Sequence, residues 1–285
     1  MTFPLQSAVQ NLLLKALSVE AFERLRPHMT LADLPLKRVL VEADEPTMQS
    51  CFVESGLASV IATSPDDERA EVGHVGREGM SAWHLVLATD QTPHCTFMQV
   101  AGSGIFVPAS VLRSALDADA AMRALFLRYV HSCEVQLAHS ALANARYVVH
   151  RRLARWLLMC HDRLDGDDLP MTHEFLALML GVRRAGVTDE LHVLENMRAV
   201  KSTRGMVRVV DRAKLEEIAG GCYGLPEREY ERLIGRPIRS IPPSDSVVEG
   251  GRRKQHPIAL PTSRGRVEAA NDEAGMTDAR KKAGH

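Results

Sequence analysis

Long hydrophobic runs are missing from this chain. No apolar stretch approaches the ~20 residues that cross a bilayer as a helix, and the N-terminus lacks the pattern of a secretory signal. A membrane span and export are therefore not expected, and the reading is a cytoplasmic protein. Cysteine is scarce: Cys51, Cys95, Cys133, Cys160 and Cys222 are odd in number and widely scattered, so no disulfide framework is implied. Catalytic signatures are missing too. No nucleophile–base arrangement, Gly-rich phosphate loop or convergent carboxylate pair is visible, so an enzyme is not expected, and the cofactor is unknown. Net charge is the last absence, since 35 Lys/Arg stand against 36 Asp/Glu. Any contact with nucleic acid must then be local rather than diffuse.

What charge there is lies unevenly. Residues 1–110 hold seven Lys/Arg against thirteen Asp/Glu, whereas residues 183–214 hold eight against four. The basic window falls within residues 171–211, which have the pattern of a helix-turn-helix followed by a two-stranded wing. Thr172 is placed to cap a helix over 173–180, with Glu174 against its positive end. Phe175, Met179 and Val182 give that helix an apolar face, and Gly181 supplies the turn. A second helix is predicted over about 183–197, with Val187, Leu191 and Leu194 facing the core. Arg183, Arg184, Ala185, Thr188, Asp189, His192 and Asn196 are left to face outward, as on a recognition helix. Lys201-Ser-Thr-Arg-Gly205 and Met206-Val-Arg-Val-Val210 then form a basic turn and a returning strand, which places Ser202, Thr203 and Arg204 beside a phosphate backbone. A plain helical hairpin with a solvated face would share the periodicity; the wing tips the balance.

Upstream, residues 6–27 look helical, and residues 34–108 break into short β-rich runs at 38–42, 50–54, 58–63, 70–75, 96–101 and 104–107. Turn chemistry separates them, at Ser55-Gly56 and Gly102-Ser-Gly104 among other places. Many short strands at even spacing argue for an antiparallel β-roll. A helical stretch follows over about 109–144. In it Met122, Phe126, Tyr129, Cys133, Gln136 and Ser140 recur at alternating four and three residues, as a coiled-coil seam does. A helix buried inside its own chain would look the same. Arg151, Arg152 and Arg155 on the next helix suit phosphate contact or a solvated face equally well.

In this order, the strand set around Phe52-Val-Glu-Ser-Gly56, the long helix after Pro108 and the terminal helix-turn-helix resemble the Crp/Fnr transcription regulators over roughly residues 10–220. The resemblance implies an α+β chain. It comprises an N-terminal antiparallel, cyclic-nucleotide-binding-like β-roll sensor over 1–108, a dimerisation helix and hinge over 109–144, and a winged helix-turn-helix over 145–220. Residues 221–285 are an extension expected to be disordered from about 236, where ten Lys/Arg stand against six Asp/Glu. The implied partners are double-stranded DNA with an imperfect palindrome, a second copy of the chain paired through Met122, Phe126, Tyr129, Cys133 and Gln136, and RNA polymerase.

The sensor departs from the family pattern. Ala82-Trp83 stand where cyclic-nucleotide binders carry Gly-Glu, and Pro93-His94-Cys95-Thr96 replaces the Arg that neutralises the cyclic phosphate. A neutral imidazole and a thiol cannot match a guanidinium on a phosphate, so the usual response to cyclic AMP is not expected. Glu78, Ala82, Trp83, His94, Cys95 and Thr96 are the candidate pocket residues, around an unidentified effector. No Cys precedes position 51, which leaves out the family's N-terminal iron–sulfur site. A haem or metal on His74, His84, His94 and Cys95, or a redox thiol at Cys95 activated by His94, stays open, as does a sensor module acting through protein contacts. At the DNA end Arg184 keeps the residue type that pairs with guanine, while Ala185 and Asp189 depart from the Glu and Arg common in relatives.

Overall fold

The computed structural model describes residues 4–239. Two short helices open it, α1 (Leu12–Ala16) and α2 (Val19–Leu25), in place of the single helix expected over 6–27. The break is a capping event: Ser18 turns extended, and its hydroxyl accepts from Ala21 N at 3.1 Å. Five strands follow, β1 (Thr30–Leu34), β2 (Val39–Val41), β3 (Gln49–Thr63), β4 (Arg69–Val75) and β5 (Cys95–Pro108). All pair antiparallel in the order β1-β5-β3-β4, with β2 also on β5. The expected β-roll is present, but its long strands are continuous where turns were expected. Ser55-Gly56 and Gly102-Ser-Gly104 are bulges in β3 and β5, seen as register shifts between Val53 and Ala58. Glycine is required there, because a side chain at Gly102 would run into the Ser55 carbonyl.

The long helical stretch is two helices, α3 (Ala109–Ala118) and α4 (Ala120–Arg146). Asp119 is extended between them and caps α4 by accepting from Met122 N at 2.9 Å. The chain leaves α4 at Tyr147–Val148, both extended, just beyond the expected 109–144 segment, and α5 (Val149–Arg163) follows. The C-terminal part then contains β6 (Asp168–Leu169), α6 (His173–Leu180), α7 (Arg184–Asn196), β7 (Val200–Thr203), β8 (Met206–Val209) and α8 (Arg212–Ala219). The wing has a third strand, in the order β6-β8-β7, which Arg208 clips to Asp168.

Residues 221–239 are not a tail. Pro226 sits in the first turn of α9 (Leu225–Ile234), and Glu227 accepts from Gly224 N at 3.0 Å to cap it. Tyr230, Ile234 and Ile238 are buried in the sensor's core, with Phe52, Met80, Ile105, Phe126 and Tyr129. Arg239 ends the described chain bonded to the His161 ring and carbonyl. The remainder of the stretch expected to be disordered lies outside the described residues.

This packing corrects the expected dimer seam. Met122, Phe126 and Tyr129 are buried in the chain's own core, Cys133 packs against it, and Gln136 accepts from Arg163 at 2.9 Å. The four-three repeat marks the inward stripe of α4, which α9 and the sensor cover. The opposite stripe is the exposed one, with Ala124, Leu127, Ala138, Ala141 and Leu142 on it.

Candidate nucleic-acid interface and sensor cleft

Thr172 caps α6 as the sequence predicted, its hydroxyl accepting from Phe175 N at 3.2 Å. Gly181 follows in the left-handed region at φ 62° and turns the chain into α7. Val187, Leu191 and Leu194 face inward and are buried with Leu176 and Leu180. The outward face of α7 carries Arg183, Arg184, Ala185, Asp189 and His192, all exposed, with Thr188 half-buried beside them. Arg183 stands at the N-cap and supplies no side-chain cap. The first N–H groups of α7 therefore join its two arginines as an anion-favouring end. Thr203 and Arg204 are exposed at the wing turn, Ser202 is half-buried, and Gly205 at φ 74° closes the turn.

Two residues that the sequence reading did not single out hold this surface together. His173 opens α6 with Nδ1 3.0 Å from Thr188 Oγ1 on α7 and Nε2 3.3 Å from Ser202 Oγ on the wing. Glu195 accepts from Ser202 N at 2.7 Å and, through its other oxygen, meets His192 Nδ1 at 3.0 Å. Wing and recognition helix are thereby fixed to each other. No local spacing signals such a bridge, because its members come from three elements 15 to 29 residues apart.

In the sensor, Ala82, Trp83, His94 and Thr96 do come together. With Val41, Val60, His84 and Thr92 they line a small cleft whose empty space, open mouth included, is about 230 Å³. Cys95 is not among its walls: it falls between His94 and Thr96, and side chains alternate along a strand. Burial, and then Glu42, push its thiol up, which runs against the redox-thiol alternative. The histidines do not converge on a metal site either. His74 lies against Trp156 of α5, and His84 bonds Thr47 at 3.0 Å. Among the described residues no group of three or more His, Cys, Asp or Glu is placed to hold a metal ion.

Glu78 also lies elsewhere than expected. It is buried at the junction of the two halves, where Arg163 Nε donates to it at 2.7 Å. Burial works against the Arg163 charge, but the Glu78 carboxylate outweighs it and holds the guanidinium above its ordinary range. Arg77 beside it donates to the Arg163 carbonyl and pairs with Asp165.

Residues 151–218 match the Crp-like helix-turn-helix domain. The chain carries a Crp-like helix-turn-helix domain. No curated protein matches the chain in sequence. Solved structures share the fold over about two thirds to three quarters of the chain at low identity. FixK2 from Bradyrhizobium japonicum aligns with a TM-score of 0.59 and 16% identity over 68% of this chain and 98% of its own. A crp/fnr-family protein from Eubacterium rectale gives 0.58 and 15% over 73% and 97%. CLP from Xanthomonas campestris, a c-di-GMP responsive global regulator, gives 0.55 and 18% over 67% and 99%. The fold is that of the Crp/Fnr regulators, and among the described residues no helix is long and apolar enough to cross a membrane.

Within the Crp-like domain, the His173 bridge has a measurable consequence. Each neutral hydrogen bond contributes about 0.5–1.5 kcal/mol, and two are lost in His173→Ala. Affinity for a selected duplex is expected to fall about tenfold while affinity for random DNA changes little. Fluorescence anisotropy with both duplexes checks this, and an equal loss on both would assign His173 a general role instead.

Proposed function

We propose that the protein is a dimeric, sequence-specific transcription regulator that reads an imperfect palindrome and does not take cyclic AMP in the usual mode. One observation supports the reading above the others: the outward face of α7 is exposed and pre-arranged by His173 and Glu195, so that Arg184, Thr188 and the wing form one surface. Arg184 is the residue for guanine O6 and N7, and Lys201 and Arg204 supply phosphate contacts.

The dimer is assigned to the exposed stripe of α4. Leu127 and Leu142 are 44% and 45% exposed there, and the small Ala124, Ala138 and Ala141 let a second helix approach. A two-fold pair presents two recognition helices to half-sites about one helical turn apart. Against cyclic AMP stands the cleft itself. None of its lining residues is Arg or Lys, and Arg77 is engaged with Asp165. A cytoplasmic location follows from this reading.

Selection of bound duplexes from a random pool, with and without cyclic AMP, tests it. The expected result is a palindromic consensus recovered equally in both arms, bound two chains to a duplex. Leu127→Arg combined with Leu142→Arg is expected to yield monomers by light scattering and to lose that consensus. A consensus that appears only with cyclic AMP would overturn the sensor reading, and no enrichment under any condition would overturn the regulator itself.

A further inference from the structure

We infer that the junction between β4, α4 and α5 is a binding site for a small monovalent anion, held by Arg152 and Arg155 beside His74 and the Trp156 ring. The four side chains line one cleft with Ser140, whose empty space including its mouth is about 400 Å³.

The argument begins with charge. Arg155 is 7% exposed and Arg152 half-buried. Among the described residues neither has a carboxylate within ion-pair distance. The acids nearby are already engaged. Glu71 accepts from Trp156 Nε1 at 2.8 Å and from Ser59 Oγ at 2.6 Å, and Glu227 caps α9. Buried charge without a partner is strongly unfavourable, and burial accordingly pulls both guanidiniums down. Within the lining of the cleft two cations face the single carboxylate of Glu71, and Glu227, outside it, offsets the Arg155 charge only from a distance.

Unmet hydrogen bonds point the same way. Arg155 Nη2 donates to Ser140 Oγ at 3.0 Å and Arg152 Nη2 to the Leu180 carbonyl, but Arg152 Nε is buried with no partner. The His74 side chain is 1% exposed. Its Nε2 touches Glu71 Oε1 at 2.6 Å outside hydrogen-bond alignment, and Nδ1 has no partner at all. Buried polar groups in a native protein are nearly always satisfied. Water would satisfy the donors but leave the charge. A halide or small oxyanion supplies both an acceptor and the missing negative charge. The occupied site would tie strand β4 of the sensor to α5 and, through Arg152, to the end of α6.

Trp156 is the reporter. Trp83→Phe leaves it the sole tryptophan of the full-length chain, and at 4% exposure it is shielded from collisional quenching. With sodium gluconate holding ionic strength constant, iodide is expected to quench Trp156 saturably, and chloride, which does not quench, to reverse it. In otherwise wild-type protein, exchanging gluconate for chloride is expected to raise Tm by about 2–4 °C, as a ligand bound only to the folded state does. Arg152→Gln should abolish both effects. Quenching that rises linearly with iodide and ignores chloride would overturn the site, as would saturable quenching undiminished in R152Q. Should R152Q fail to fold, the iodide–chloride competition in W83F decides alone.

Discussion

Arg163→Met is expected to destabilise the protein by about 3–5 kcal/mol, the range found when one member of a buried ion pair is removed. Arg163 is the largest fully buried side chain. It donates to Glu78 Oε1 at 2.7 Å, to the Met159 carbonyl at 2.8 Å and to Gln136 Oε1 at 2.9 Å. Methionine fills much of the space but strands the Glu78 carboxylate in a dry site. The pair itself need not be strongly stabilising, since desolvation offsets most of its attraction. What matters is that neither charge tolerates being left alone. Adding Glu78→Gln to R163M removes the stranded charge and keeps an acceptor for Gly76 N, which Glu78 Oε1 now serves at 3.2 Å. The double variant is expected to recover more than half of the loss.

Acid should act in the same direction on R163M alone. Its Glu78, buried and unpaired, would bind a proton more readily in the folded than in the unfolded state. The deficit of R163M therefore shrinks as pH falls. Urea denaturation of the three proteins at two pH values checks this. A loss under about 1 kcal/mol in R163M, or a double variant no better than the single, would show the joint to be held by packing alone.

Legibility in the sequence followed the range of the interactions involved. The helix-turn-helix was readable because its signals are local: Thr172 caps three residues ahead, Gly181 turns the chain, and Val187, Leu191 and Leu194 repeat on one face. The β-roll was readable as a class but not in its parts, since Gly56 and Gly102 look alike as turns or as bulges until the partner strand is known. The α4 seam shows the limit most clearly. Its periodicity correctly marked a buried stripe, but periodicity does not say what buries it, and the answer lay a hundred residues on, in α9. Glu78 failed for a similar reason. Its neighbours in sequence line the sensor cleft, but its own carboxylate meets a guanidinium 85 residues away. Charge and composition marked disorder from about 236, where Pro, Gly and polar residues dominate, and gave no sign of the short amphipathic helix just ahead of it in the extension after 220.

That helix carries the second large prediction. Were residues 221–239 a solvated extension, a substitution at position 230 would fall within about 0.5 kcal/mol of the parent. Tyr230 is instead 3% exposed in the sensor core, and its hydroxyl donates to the Glu78 carbonyl at 2.7 Å. Tyr230→Ala is expected to cost about 3–5 kcal/mol, as deletion of a buried aromatic ring does. Tyr230→Phe keeps the ring and loses one hydrogen bond, for about 1 kcal/mol. Because Tyr230 holds the backbone of the residue whose side chain pairs with Arg163, the effects of Y230A and R163M should not add. A double-mutant cycle is expected to give a coupling of about 0.5–3 kcal/mol. Additivity would mean that α9 and the ion pair fasten sensor to reader independently. Coupling makes them one joint, with α9 closing over a buried charge pair that the β-roll and α5 share.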